Sequence, residues 1–126
     1  MSQDVVSDAL NMIRNAKRAR KETVTINRIS NLLIEILKIM KAKNAIKKYK
    51  INSNEKSVEI NIGDLLDCKA IKPRFTVDKD QVEKYVRRYL PARNLGTVIV
   101  STNHGLVTHQ EAREKKIGGI LIAYFY

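Results

Sequence analysis

Apolar residues recur along this chain with two different periods, and the switches between them mark its elements. Val5, Val6, Ala9, Ile13 and Ala16 recur at helical spacing, so residues 4 to 18 read as a helix, with Ser2 or Asp4 able to cap its start. The alternating piece TVTI predicts a short strand. From Arg28 the period is again helical: Ile29, Leu32, Leu33, Ile36, Leu37 and Met40 fall at i, i+3, i+4 and i+7. Asn27 is the predicted N-cap, and Asn44 stands where the helix must stop, a position that asks for a left-handed residue. AIKKYKI and SVEINI flank the turn NSNEK and predict a hairpin with one buried face. That face takes Ala45, Tyr49 and Ile51 from one strand and Val58, Ile60 and Ile62 from the other. A strand from about Leu65 to Ile71 is expected to complete this small sheet.

Pro73, within KPRF, ends the sheet because proline has no N–H to give a ladder. Beyond it, DKDQVEKYVRRYLP has Asp78 and Gln81 at capping-box spacing and Val82, Tyr85, Val86 and Tyr89 in one stripe, a short helix stopped near Pro91. TVIVS and ILIAYFY are strands. Between them Thr108 and Glu111 form a second capping box opening a short helix, and Gly118 and Gly119 permit the return to the sheet. The pattern predicts an α/β fold of two small α/β subdomains. Residues 1–70 would pack N-terminal helices on a small sheet; residues 71–126 would form a mixed sheet with a short helix.

Charge changes the picture from fold to partner. The chain has 126 residues, 24 Lys and Arg against 13 Asp and Glu, and a formal charge of +11. Before Gly63 stand 13 basic and 6 acidic residues (+7), and after it 11 and 7 (+4), so the excess is spread along the chain and is not a tail. A distributed positive field on a folded body points to a polyanion, nucleic acid above all. The cluster KRARK closes the first helix with Lys17, Arg18, Arg20 and Lys21. No apolar run approaches the ~20 residues of a spanning helix. The N-terminus MSQDVVSDAL carries acids where a signal peptide carries basic residues, and a lone Cys68 forms no internal disulfide, so a cytoplasmic setting is the expectation.

Candidate chemistry concentrates in STNHGLVTHQEA, residues 101 to 112, which holds both histidines. A nucleophilic serine needs a strained turn, an adjacent base and a third residue orienting that base. Here no G-x-S-x-G is present, and His104 and His109, five apart, would point roughly 140° apart on a helix. A structural zinc needs four ligands at paired spacing, and one Cys with two His falls short. Phosphate-cradle and dinucleotide motifs are missing as well, so no metal, no cofactor and no enzymatic activity are expected. What the stretch does offer is hydroxyl and amide side chains around a glycine, shortly before a helix start. Two rival readings remain: a small phosphate-handling enzyme using Ser101, His104 and His109, and a free-standing RNA-binding regulator.

The order of residue types in this region carries a resemblance. GTVIVSTNHGLVTHQEAREKKIGGILIAYFY resembles the C-terminal signature of small-subunit ribosomal protein eight: an apolar strand, a Ser-Thr-x-x-Gly loop, a helix beginning near Glu-Ala, then Gly-Gly and a terminal strand ending in aromatics. The matching positions are Ser101, Thr102, Gly105, Glu111, Ala112, Gly118 and Gly119. CKAIKPRF and RRYLPARNLG are similar to the archaeal and eukaryotic branch, and ALNMIRNA to the family's first helix, so the resemblance covers nearly the whole chain.

The resemblance implies a non-enzymatic two-domain α/β protein of the small ribosomal subunit. It implies direct, early binding to a stem with an irregular core in the central domain of the small-subunit RNA, neighbouring ribosomal proteins as partners, and in several members binding of the protein's own messenger. No membrane partner is implied. Carried over by position, Ser101, Thr102, Asn103, His104 and Gly105 would face the RNA core, with Thr108 beside them at a helix start. Arg14, Asn15 and Lys17 on the first helix, with Arg28, Ser30 and Asn31 opening the second, would contact the backbone; Arg74 and Arg93 flank the domain junction. Three positions depart from the family: Asn103 stands where serine is frequent, Asn31 where lysine is frequent, and Asn44 in place of a glycine after the second helix.

Overall fold

The chain divides into two units, Met1–Lys69 and Ala70–Tyr126. A computed structural model describes residues 5–52, 54, 56–71, 74, 76–91 and 95–126. The expected caps Ser2 and Asp4, the sheet-ending Pro73 and the candidate contact Arg93 therefore lie outside the described residues.

The first unit opens with α1 (Val5–Arg18), which buries Val6, Ala9, Leu10, Ile13 and Ala16 as one stripe. Its end is turned by Arg20, held at φ 61°, so that the Lys21 N–H reaches back to the Ala16 carbonyl at 2.9 Å. β1 (Thr23–Ile26) follows, then α2 (Asn31–Ala42), burying Leu33, Ile36, Leu37 and Met40. The cap of α2 is Ser30 and not Asn27. Ser30 keeps extended backbone (φ −135°, ψ 158°), and its hydroxyl accepts from the Leu33 N–H at 3.1 Å. Asn44 takes φ 65°, the left-handed conformation its place required.

β2 (Ile46–Asn52) and β3 (Ser57–Ile62) form the expected antiparallel hairpin, and β3 buries Val58, Ile60 and Ile62. The sheet order is β1-β3-β2. The strand predicted from Leu65 to Ile71 shrinks to β4 (Cys68–Ala70), which is no part of this sheet. Tyr49 stands opposite Ile60 and Ile51 opposite Val58, on the face expected for them, and Ala45 is buried. That face is covered only in part: Tyr49 is half-buried and Ile51 exposed, while a register shift between Ile46 and Lys48 lets Ile46 be buried next to Ala45.

The second unit contains β5 (Thr76–Val77), α3 (Val82–Tyr89), β6 (Thr97–Thr102), β7 (Gly105–Thr108), α4 (His109–Lys115) and β8 (Gly119–Phe125). β6 lies between β7 and β8, β5 adds to β8, and each of these ladders is antiparallel. A mixed sheet was the expectation. β7 and β8 do run parallel to each other across α4, but β6 separates them, so they share no ladder. Val98, Val100, Val107 and Leu121 from the sheet meet Val82, Val86, Leu90 and Ala112 in the core. Tyr85, Tyr89, Tyr124 and Tyr126 pack against it, with the Tyr89 and Tyr124 rings stacked at 5.3 Å. The aromatics at helical and strand spacing are therefore packing groups.

Two helix ends differ from the sequence pattern. α3 has only half a capping box: the Gln81 Oε1 accepts from the Asp78 N–H at 3.1 Å, while no side chain caps the helix from Gln81. At the end of α4 the left-handed residue is Lys116, at φ 55°, not a glycine. Gly118 and Gly119 serve close approach. A Cβ on Gly118 would strike the Val77 carbonyl of β5, and one on Gly119 the Ser101 carbonyl of β6. The pair lets β8 slot between two backbones.

Candidate nucleic-acid interface

The stretch read as a loop is a tight β-hairpin. β6 and β7 pair from Ile99 with Thr108 to Thr102 with Gly105, leaving Asn103 and His104 as the tip. Gly105 takes φ +100°, whereas neither Asn103 nor His104 has positive φ. That is the pattern of a type I turn followed by a left-handed glycine, which lets a right-twisted ribbon close. Thr102 secures the tip: its hydroxyl donates to the Gly105 carbonyl at 2.9 Å and accepts from the His104 N–H at 3.1 Å. Its role is thus to shape the turn.

The neighbouring side chains are differently placed. Asn103 and His104 are exposed and Ser101 is half-buried. Neither the Ser101 hydroxyl nor the Asn103 amide makes a hydrogen bond among the described residues. Both line a groove of about 710 Å³ with Thr102, Gly118 and Gly119. Of the positions that carry the sequence resemblance, Ser101, Thr102, Gly118 and Gly119 meet at this concavity, whereas Gly105 is at the turn and Glu111 and Ala112 are in α4. Asp78, Lys79, Asp80 and Lys116 line it as well. These were missed from the sequence, where only the Gly118–Gly119 pair, just after Lys116, hinted at a close approach of another segment.

The hairpin also moves the helix away from the tip. All of β7 lies between Gly105 and α4, so the α4 N-terminus does not adjoin Asn103. Thr108 is buried and caps α4, accepting from the Glu111 N–H at 3.2 Å. His109 is buried too, with Nδ1 accepting from the Val98 N–H at 3.0 Å. The two histidines are therefore unlike: His104 faces solvent at the tip, and His109 belongs to the fold. Among the described residues no group of three or more His, Cys, Asp or Glu is arranged to hold a metal ion.

In the first unit the candidate contacts separate into exposed and engaged groups. Asn15 and Asn31 are exposed and Lys17 half-buried. Asn15 lies at a groove of about 550 Å³, shared with Met12, Lys21 and the edge strand β1 at Thr23. Ser30 is occupied as the α2 cap. Arg28 reaches Asp8 at 3.3 Å, an open pair of the kind worth little in water. Arg14 is more firmly held: its Nε meets the Asp67 Oδ1 at 2.7 Å, as an ion pair without the alignment of a hydrogen bond. The same carboxylate oxygen accepts from the Cys68 N–H at 2.9 Å. Cys68 is buried, and burial, with the Asp67 charge second, pushes its thiol up to about 12. That makes it an inert core group. In the second unit Arg74 is exposed.

Comparison with known proteins bears on the family of the chain. A family model described as Ribosomal protein S8 matches residues 4–126. The protein named Small ribosomal subunit protein uS8 of Nanoarchaeum equitans is 43% identical over 129 residues, covering 100% of both chains. Proteins of the same name from Picrophilus torridus and Archaeoglobus fulgidus are each 38% identical, again over 100% of both chains. No helix among the described residues is long and apolar enough to cross a membrane. A family match over residues 4–126 and full-length similarity to archaeal relatives place the chain in the ribosomal protein S8 family in its archaeal form, a ribosomal protein and not an enzyme.

Proposed function

We propose that the chain is a constituent of the small ribosomal subunit, binds directly to a stem with an irregular core in the central domain of the subunit's RNA, and helps that domain assemble. The observation that carries this reading is the hairpin tip. Ser101 and Asn103 present side-chain polar groups without hydrogen-bond partners among the described residues, on a turn whose shape Thr102 and Gly105 hold. Structured RNA is read through 2′-hydroxyls and exposed bases at irregular positions, and short neutral donors and acceptors suit those groups. Asn15, Lys17, Arg28, Asn31 and Arg74 would supply backbone contacts, which add affinity without sequence information. Arg14 would join them only with the charge left over from Asp67, and Ser30 and Thr108 would act through the helices they cap. His104 would contribute from the tip and Gly105 through its conformation. The same surface would take a messenger segment shaped like the ribosomal stem.

The test is a titration of Ser101→Ala and Asn103→Ala against an irregular central-domain stem and a plain duplex at several salt concentrations. Each variant should lose about 2 kcal/mol on the stem and little on the duplex. Lys17→Ala should weaken both and make the salt slope shallower by roughly one unit. Equal losses on both RNAs for the tip variants, with a shallower slope, would reduce the tip to a phosphate clamp and sink this reading.

A further inference from the structure

Between Ile36 and Asn54 the chain carries Lys38, Lys41, Lys43, Lys47, Lys48 and Lys50, with no arginine and no acid. All six are exposed. Among the described residues none makes an ion pair, although Lys50 stands opposite Glu59 in register. The fold gathers them around one edge. β2 is an outer strand of the β1-β3-β2 sheet. Lys48 pairs with Asn61 and Lys50 with Glu59, so both stand on the face opposite buried Val58 and Ile60. The same open face carries Thr23 and Thr25 on β1. Lys41, in the last turn of α2, brings its Nζ 5.9 Å from the ring of Tyr49 on β2. The lysines thus wrap from the end of α2 around the β2 edge.

We propose that this edge is a second RNA-contact surface, taking the sugar–phosphate backbone of a duplex without reading its sequence. The proposal rests on the reading above that the chain binds RNA, and adds a surface that the candidate contacts omit. Its composition selects the partner. Lysine is a flexible point charge that tracks phosphates without the fixed fork of arginine. Protein interfaces are depleted in lysine and built on aromatic and apolar anchors, whereas from Lys38 to Asn52 the exposed apolar residues are Ala42 and Ile51, with Ile39 and Tyr49 half-buried. Successive outward lysines on β2 lie about 7 Å apart, so several phosphates are met along one strand. A rival role exists in the fold itself, because lysines and a bulge on an outer strand also block edge-to-edge pairing.

The experiment uses the full chain with Lys47, Lys48 and Lys50 all changed to Gln, beside a matched triple Lys→Arg variant. Both are titrated against the irregular stem and the plain duplex across a salt series, with the oligomeric state followed by sedimentation. On the proposal, the Gln variant weakens for both RNAs by the same factor and its salt slope is shallower by about two units, while the Arg variant keeps the wild-type slope. An unchanged slope in a Gln variant that self-associates would leave the lysines as edge guards and overturn the proposal. So would binding of a polyglutamate peptide as tight as the duplex, lost in the same variant, which would give the edge to an acidic protein. Failure of the wild type to prefer the irregular stem would defeat the reading of the hairpin tip, and the slope difference would still decide the lysine edge.

Discussion

The two hairpins of this protein handle polar groups in opposite ways. β2–β3 carries charge on long, mobile stems: four residues of β2 alone, from Lys47 to Lys50, include three lysines. β6–β7 ends in Ser101, Thr102, Asn103 and Gly105, short groups with no formal charge on a turn held by the Thr102 hydroxyl. A long charged side chain tolerates many partner geometries and is screened by salt. A short neutral one makes a hydrogen bond only where the geometry is right, and salt hardly touches it. On the two proposals above, one hairpin would hold an RNA and the other would choose it.

The contrast can be broken most forcefully at the platform beneath the tip. Gly119→Ala would drive a Cβ into the Ser101 backbone, which has no side-chain freedom to yield. Denaturant unfolding should show a loss of about 3 kcal/mol, with stem preference falling alongside. Thr108→Ala is the next largest. It removes the α4 cap from a buried site, and a loss of about 1.5 kcal/mol is expected in the same assay. Ser30→Ala should cost about 1 kcal/mol through the α2 cap, yet leave the ratio of stem to duplex affinity unchanged, because the tip is untouched.

Cys68 sharpens the comparison with the smallest perturbation. Its folded pKa is raised from 9.0 to about 12, so the stabilisation linked to it is complete below pH 9.0 and is lost as pH rises toward 12. Thiol labelling at pH 8 should be negligible in the folded protein and prompt in denaturant. Prompt labelling under native conditions would show that the core around Leu10, whose carbonyl accepts from the thiol at 3.4 Å, opens readily.

Much of this fold was legible because its signals are local. The stripes of α1 and α2, the alternation of β3 and the Thr108–Glu111 box all act within a turn or two of chain. What was missed depends on distant partners. Asn27 and Ser30 are both capping types three residues apart, and only the tertiary path of the chain selects Ser30. β7 has four residues and begins on a glycine, too short to stand out from a loop. The role of Gly118 and Gly119 is set by Val77 and Ser101, far away in sequence. The same holds for the site. The tip residues were visible as a motif, but nothing local shows that Asp67 engages Arg14, or that Asp78 and Asp80 share a groove with Asn103.

One detail of the second hairpin sets how far its tip stands from the body of the fold. The ladder begins where Ile99 meets Thr108, just before the chain turns into α4, and the His109 ring there supplies Val98 with the acceptor that another strand residue would have given. The paired arm therefore has a set length, about 10 Å from that stop to the turn. An arm of this kind can be lengthened only in steps. Two residues added to each strand would carry the tip outward with Ser101 and Asn103 still on their own sides, whereas one residue added to each would exchange the sides. Length differences among such arms should accordingly come in even numbers per strand, and an odd one should come with a bulge that restores the parity.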